Sequence, residues 1–167
     1  MLPNIVLTGF MGTGKSEVAR ELSLLRGMRL IDIDREIEKS EGMVIPDIFL
    51  RHGEDYFRQI EAAAILQFAS EQEVIIATGG GAVLREENLK ALQAHGIVFC
   101  LTASPETITR RTARNNDRPL LQCDDRQARI SELLAERQPY YEKAGIMINT
   151  EGKTPFEIAN EIIGKIS

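Results

Sequence analysis

Short apolar runs alternate with longer mixed stretches along this chain. The runs at residues 4–8, 29–32, 73–78, 96–101 and 146–149 are rich in Ile, Val and Leu, and each reads as a strand. Two of them, 73–78 and 96–101, carry almost nothing polar inside, as strands buried on both faces require. Between the runs the spacing turns helical, over 15–26, 54–70 (around Ala62-Ala63-Ala64) and 125–144. Ser104-Pro105 sets an N-cap before a proline at the first helical position. Thr154-Pro155-Phe156-Glu157 adds a capping box to the same arrangement and opens a last helix to about residue 165. Pro139 has no amide hydrogen to give, so the pattern over 125–144 predicts a kink or break there. Strands alternating with helices predict a mainly parallel α/β sheet with helices on both faces. Ligands of such sheets bind beyond the strand C-termini. Here those ends lead into Gly9, Asp32 and Gly79.

Composition narrows this picture. A chain of 167 residues can bury one good core and is short for two, so 1–167 is read as a single domain. A net charge of −5 argues against a general nucleic-acid binder, so any anionic ligand has to be met by locally placed arginines. No apolar stretch reaches the roughly 18 residues of a membrane span, and the first residues lack the basic segment and cleavage site of a secretory signal. Cys100 lies in an apolar run and is expected to be buried, whereas Cys123 sits in a polar segment. Two free thiols fit a reducing cytoplasm, with a single disulfide as the alternative.

The densest chemistry is GFMGTGKS, Gly9 to Ser16, directly after the first apolar run. It fits G-x-x-x-x-G-K-S/T, a loop whose glycines let backbone N–H groups turn onto phosphate oxygens. Lys15 would reach the β/γ-phosphates, and the Ser16 hydroxyl would ligate Mg²⁺. Asp32-Ile33-Asp34 follows the second strand. At period two both carboxylates would face the phosphate end, one steadying a metal shell and one orienting an acceptor hydroxyl. The alternative is that Asp34 only caps a helix starting at Arg35. On the helix after Glu54, Arg58 and Glu61 are three apart and can pair, giving a pre-aimed fork for a substrate carboxylate, or merely a surface ion pair. Thr78-Gly79-Gly80-Gly81 ends the third strand in glycines that admit a ligand to the backbone, or form a plain tight turn. Arg110, Arg111, Arg114 and Arg118 crowd a polar stretch that suits a lid over the phosphates, about 112–124, or a solvated loop. Arg118 would then act on the charge of the transferring group.

In order and spacing these motifs resemble the shikimate kinase family over nearly the whole chain. They run from the P-loop through D-x-D, F-x-x-x-G-E-x-x-F-R-x-x-E, T-G-G-G and D-R-P-L-L to R-x-P-x-Y, Arg137 to Tyr141. The resemblance implies a P-loop kinase fold with a five-stranded parallel sheet, a lid, and a substrate-binding helical region at about 34–61. It implies transfer of the γ-phosphoryl of ATP to the 3-hydroxyl of shikimate on the route to chorismate, by a cytoplasmic monomer using Mg²⁺. Lys15, Asp34 and Arg118 would be catalytic. ATP would meet Gly12, Thr13, Gly14, Lys15, Ser16, the Glu17 amide, Arg111, Arg118 and Pro155. Shikimate would meet Asp34, Arg58, Gly79, Gly80, Gly81 and Arg137. Ser16 would hold the metal, with Asp32 acting through water. Two positions depart from the family pattern, Glu17 in place of the usual Thr and Ala19 in place of Gly. An ionised Glu17 cannot donate to a phosphate, so its side chain is expected to point away. Competing readings are another small-molecule kinase such as a gluconate kinase, a GTPase-like switch, for which no N-K-x-D sequence is present, and a nucleotide-binding regulator without catalysis.

Overall fold

The computed structural model describes residues 1–113 and 125–167. Five strands, β1 (Asn4–Gly9), β2 (Arg29–Asp32), β3 (Val74–Ala77), β4 (Gly96–Thr102) and β5 (Ile146–Asn149), form one parallel sheet in the order β2-β3-β1-β4-β5. All six residues of β1 are buried, because it is the middle strand and has helices over both faces. Alternation splits its side chains between two cores. Ile5 and Leu7 join Phe99, Ile75 and residues of α1 (Lys15–Arg26) and α7 (Pro155–Ile166). Val6 joins Ile76, Val98 and residues of α2 (Ile33–Glu41), α3 (Ile45–Ala69) and α6 (Arg126–Ala144). Each fully buried aliphatic side chain of this kind stabilises by about 1.5–3 kcal/mol. With all strands parallel, their C-terminal ends share one edge of the sheet, and the loops there converge.

The predicted strands form, with small corrections. The strand expected over 73–78 is the four-residue β3, because Glu73 sits at φ 56° and cannot join the ladder. The Thr78 N–H still reaches Leu7 O at 3.0 Å. Helix α4 (Glu86–His95) was not foreseen; its only buried residues are Asn88 and Leu92, too thin an apolar face to give a pattern. Helix α3 begins nine residues before the expected Glu54 and is interrupted by Gly53 at φ 85°, ψ 171°. The predicted pattern is its second piece. Helix α6 runs through Pro139 without the break predicted there. Proline costs it one intrahelical bond, which the buried Leu133, Arg137 and Tyr141 on either side offset. The two predicted caps stand: Ser104 accepts from Thr107 N at the start of α5 (Pro105–Thr112), and Thr154 with Glu157 forms a reciprocal box at α7. Cys100 is fully buried, and burial pushes its thiol up to about 12, so it is inert. Cys123 lies outside the described residues, as does most of the proposed lid.

Candidate active site

A cleft of about 860 Å³ opens along the strand C-termini, lined by the P-loop, Asp32, Asp34, Arg58, Glu61, residues 77–81, Arg111, Arg137 and Pro155. Nearly every candidate from the sequence is therefore in one place. Arg110 is not among the lining residues, and Arg114 and Arg118 lie outside the described residues.

The P-loop links β1 to α1 and curls because Gly9, Gly12 and Gly14 all take positive φ, at 133°, 76° and 88°. Thr13 Oγ1 donates to Phe10 O at 2.7 Å and closes the curl from inside. Lys15 Nζ donates to the loop's own carbonyls, Gly9 O at 2.8 Å and Phe10 O at 2.9 Å. A phosphate would have to draw it out of that position. Ser16 Oγ lies 3.4 Å from Asp32 Oδ2, so a hydroxyl and a carboxylate meet at the foot of α1. Glu17 is exposed, with a carboxylate oxygen 4.0 Å from where a Cβ on Gly14 would lie. It stays beside the loop and does not turn clear of it.

The D-x-D pair is built differently from the expectation. β2 stops at Asp32, whose Oδ1 accepts from Arg35 N at 3.3 Å as the N-cap of α2. Asp34 is thus not the cap. It stands in the first helical turn, and one of its carboxylate oxygens would lie 3.1 Å from a Cβ on Gly79. Both carboxylates still line the cleft, because a strand end and a first helical turn bring them there by separate routes.

Facing the P-loop is a cationic wall. Arg58 Nη1 bonds Glu61 Oε1 at 2.9 Å, and Nη2 lies 3.5 Å from Glu54. The bonded carboxylate is 1% exposed, so this is an internal brace and not a surface pair. Burial pushes the Glu61 carboxyl above its ordinary value, and the Arg58 charge works against that rise. Arg58 also lies over the Phe57 ring, 5.2 Å from its centroid. Arg137 comes from α6, is 5% exposed, and sits 5.6 Å from the Phe10 ring centroid. Its Nη1 is buried without a hydrogen-bond partner. A guanidinium left so in a cleft is poised for an anion.

Each glycine of 79–81 is crowded by a different neighbour. A Cβ on Gly79 would lie 3.1 Å from both Asp34 Oδ1 and Glu61 Oε2. On Gly80 it would meet Met11 N at 3.2 Å and Arg137 Nη1 at 3.4 Å. On Gly81 it would enter the Arg58 guanidinium at 2.5–2.7 Å. Their backbone torsions are not of the left-handed kind. The need is for room.

At the other end, Arg111 Nη1 donates to Gly12 O and Thr150 Oγ1, both at 3.3 Å. Glu151 accepts from Ser104 N at 2.7 Å and from Thr107 Oγ1 at 2.9 Å, which lowers its pKa. The loop after β5, ending at Pro155, is thereby tied to α5 and the P-loop. Thr150 and Glu151 follow the C-terminal end of β5, where the strand-end rule places ligand-facing residues, yet no local motif marks them. Tyr141, the last residue of R-x-P-x-Y, carries no such signal either; its hydroxyl donates to Gly80 O at 2.6 Å.

A phosphate loop on the central strand, faced across one cleft by paired arginines and a carboxylate, defines a P-loop kinase of small molecules. The family model "Shikimate kinase" matches residues 11–167. The chain belongs to the shikimate kinase family. It is 48% identical over 162 residues to a shikimate kinase of Thermodesulfovibrio yellowstonii, covering 97% of this chain and 94% of that one. Its structure superposes on shikimate kinase from Acinetobacter baumannii in complex with shikimate, with a TM-score of 0.97 at 37% identity, covering 99% and 93% of the two chains. Shikimate kinase from Aquifex aeolicus gives 0.85 at 35% identity, covering 98% and 95%.

Proposed function

We propose that this chain transfers the γ-phosphoryl group of ATP to the 3-hydroxyl of shikimate, giving shikimate 3-phosphate and ADP for chorismate synthesis. The observation that carries this reading is the convergence of Arg58 and the unpartnered Arg137 Nη1 on the glycine turn, with Asp34 on the same turn. Two guanidinium groups suit a ring carboxylate, and a carboxylate beside them suits a ring hydroxyl.

ATP would lie with its phosphates on the amides of Gly12 to Glu17 and its adenine between Arg111 and Pro155. Lys15 would exchange its bonds to Gly9 O and Phe10 O for phosphate oxygens. Asp34 would accept or orient the proton of the 3-hydroxyl while that oxygen attacks the γ-phosphorus. The bond to the β–γ bridging oxygen then breaks, and ADP leaves with the charge that Lys15 and Arg118 balance. Ser16 and Asp32 would hold Mg²⁺, the serine directly and the aspartate through water. A hydroxyl 3.4 Å from a carboxylate at the mouth of a P-loop has the right hard-oxygen chemistry for it. Neutralisation of the β- and γ-phosphate charge is what a bound Mg²⁺ supplies there. Residues 1–167 would work as one domain, a cytoplasmic monomer with a lid at about 112–124.

Incubation with ATP, Mg²⁺ and shikimate, followed by ³¹P NMR of the product, tests the reading. A phosphate monoester coupled to the proton on C3 is expected; free inorganic phosphate without an ester would contradict it.

A further inference from the structure

We propose that Tyr141 is a positioning residue for the acceptor substrate: its phenol latches the glycine turn in the orientation that the substrate needs. This rests on the functional reading above. Tyr141 is 2% exposed, and its hydroxyl donates to Gly80 O at 2.6 Å, linking α6 to a turn 61 residues earlier in the chain.

The peptide chemistry makes that bond more than packing. Gly80 O belongs to the peptide unit whose N–H is that of Gly81. A trans peptide is planar, with C=O and N–H on opposite sides. Holding the carbonyl on α6 therefore aims the Gly81 N–H away from α6. Three successive glycines form the backbone easiest to flip, because none has a Cβ to restrict it. Each also leaves close room for Asp34, Glu61, Arg137 or Arg58. Backbone bonds from Ala82 N and Leu84 N hold Gly79 O and Gly81 O within the turn, and Tyr141 holds the carbonyl between them from outside. Tyr141 also lies one helical turn after Arg137, whose charge stands beside the phenol. A single α6 face thus presents both the arginine and the latch. Burial raises the phenol to about 12, so it remains a donor at any pH at which the protein works.

Tyr141→Phe keeps the ring and loses the bond. Steady-state kinetics of wild type and Tyr141→Phe with shikimate and ATP varied separately give the test. The shikimate KM should rise by about tenfold, the order expected for one buried hydrogen bond whose acceptor is left unsatisfied, while the ATP KM stays within about twofold and kcat changes little. An unchanged shikimate KM overturns the latch, whatever happens to the melting temperature; so does an equal rise in both KM values, which marks a general loosening. A wild-type protein that does not turn over shikimate instead overturns the functional reading itself. Should the variant not fold, ¹⁹F NMR of the wild-type chain labelled with fluorotyrosine takes its place. The chain has three tyrosines, and Tyr56→Phe and Tyr140→Phe assign two of the resonances, leaving Tyr141. Its resonance should shift with shikimate and not with ADP, and a resonance indifferent to shikimate contradicts the proposal.

Discussion

Besides its backbone, Gly81 shapes this site through the space it leaves. The Arg58 guanidinium occupies the volume that a Cβ would fill, and Glu61 braces it from below. In Gly81→Ala the new Cβ would meet the Arg58 guanidinium, so the fork has to shift or strain its bond to the buried Glu61. We expect its shikimate KM to rise by about tenfold or more with the ATP KM unchanged, the pattern of a lost substrate contact; equal KM values for wild type and variant would show that the fork has room to shift. Asp34 makes a different demand, since the role proposed for it lies in the reaction step. Asp34→Asn keeps the shape and removes the proposed base, and kcat should fall by about 10²–10⁴-fold, the range of general acid–base groups. A kcat equal to wild type would remove Asp34 from the mechanism. At this scale the sequence showed the right residue types and hid their company. Glu61 could belong to a fork or to a surface pair until its burial was visible, and Asp34 looked like half of a strand motif until α2 was seen to begin at Ile33. Contacts between residues far apart in sequence, such as Tyr141 with Gly80, leave no local pattern to read.

The elements bring these side chains together, and their ends carry the most information. Gly53 divides α3 with φ 85°, ψ 171°, a region that only glycine visits comfortably. Its Cβ would meet nothing, so Gly53→Ala is a pure backbone test. We expect it to cost about 1–3 kcal/mol in urea unfolding with an unchanged m value; no loss would mean the bend relaxes freely. The α7 capping box offers a pH test. Glu157 accepts from Thr154 N at 2.7 Å, which lowers its pKa. A carboxyl with a depressed folded pKa stabilises above its unfolded value, about 4.3, and that stabilisation is lost as pH falls through the folded value. The melting-temperature gap between wild type and Glu157→Ala should therefore be full near neutral pH and close under acid; a gap constant down to pH about 2 would contradict the cap. Strands and caps were legible because their signals are local: apolar runs, and Ser or Thr before proline. Helix α4 was not, having too few buried positions, and of the kink or break expected at Pro139 no break occurs, because tertiary packing holds α6 together across it.

At the scale of the molecule, the strand order explains why one cleft gathers so much of the chain. Parallel strands in the order β2-β3-β1-β4-β5 put the P-loop at the centre of one edge, with Asp34 and the glycine turn on one side and the loop after β5 on the other. The alternation of runs announced this topology, and the strand-end rule announced the edge. The acceptor is another matter, because a P-loop kinase fold serves many small molecules and the fold alone does not choose among them. In the proposed reading the choice rests on Arg58 and Arg137, which suit a ring carboxylate held beside a hydroxyl. A coupled ADP-release assay with shikimate and with gluconate, under the same ATP and Mg²⁺, puts that claim most directly to the test. The account predicts turnover with shikimate and little or none with gluconate. Turnover with gluconate and none with shikimate would contradict it.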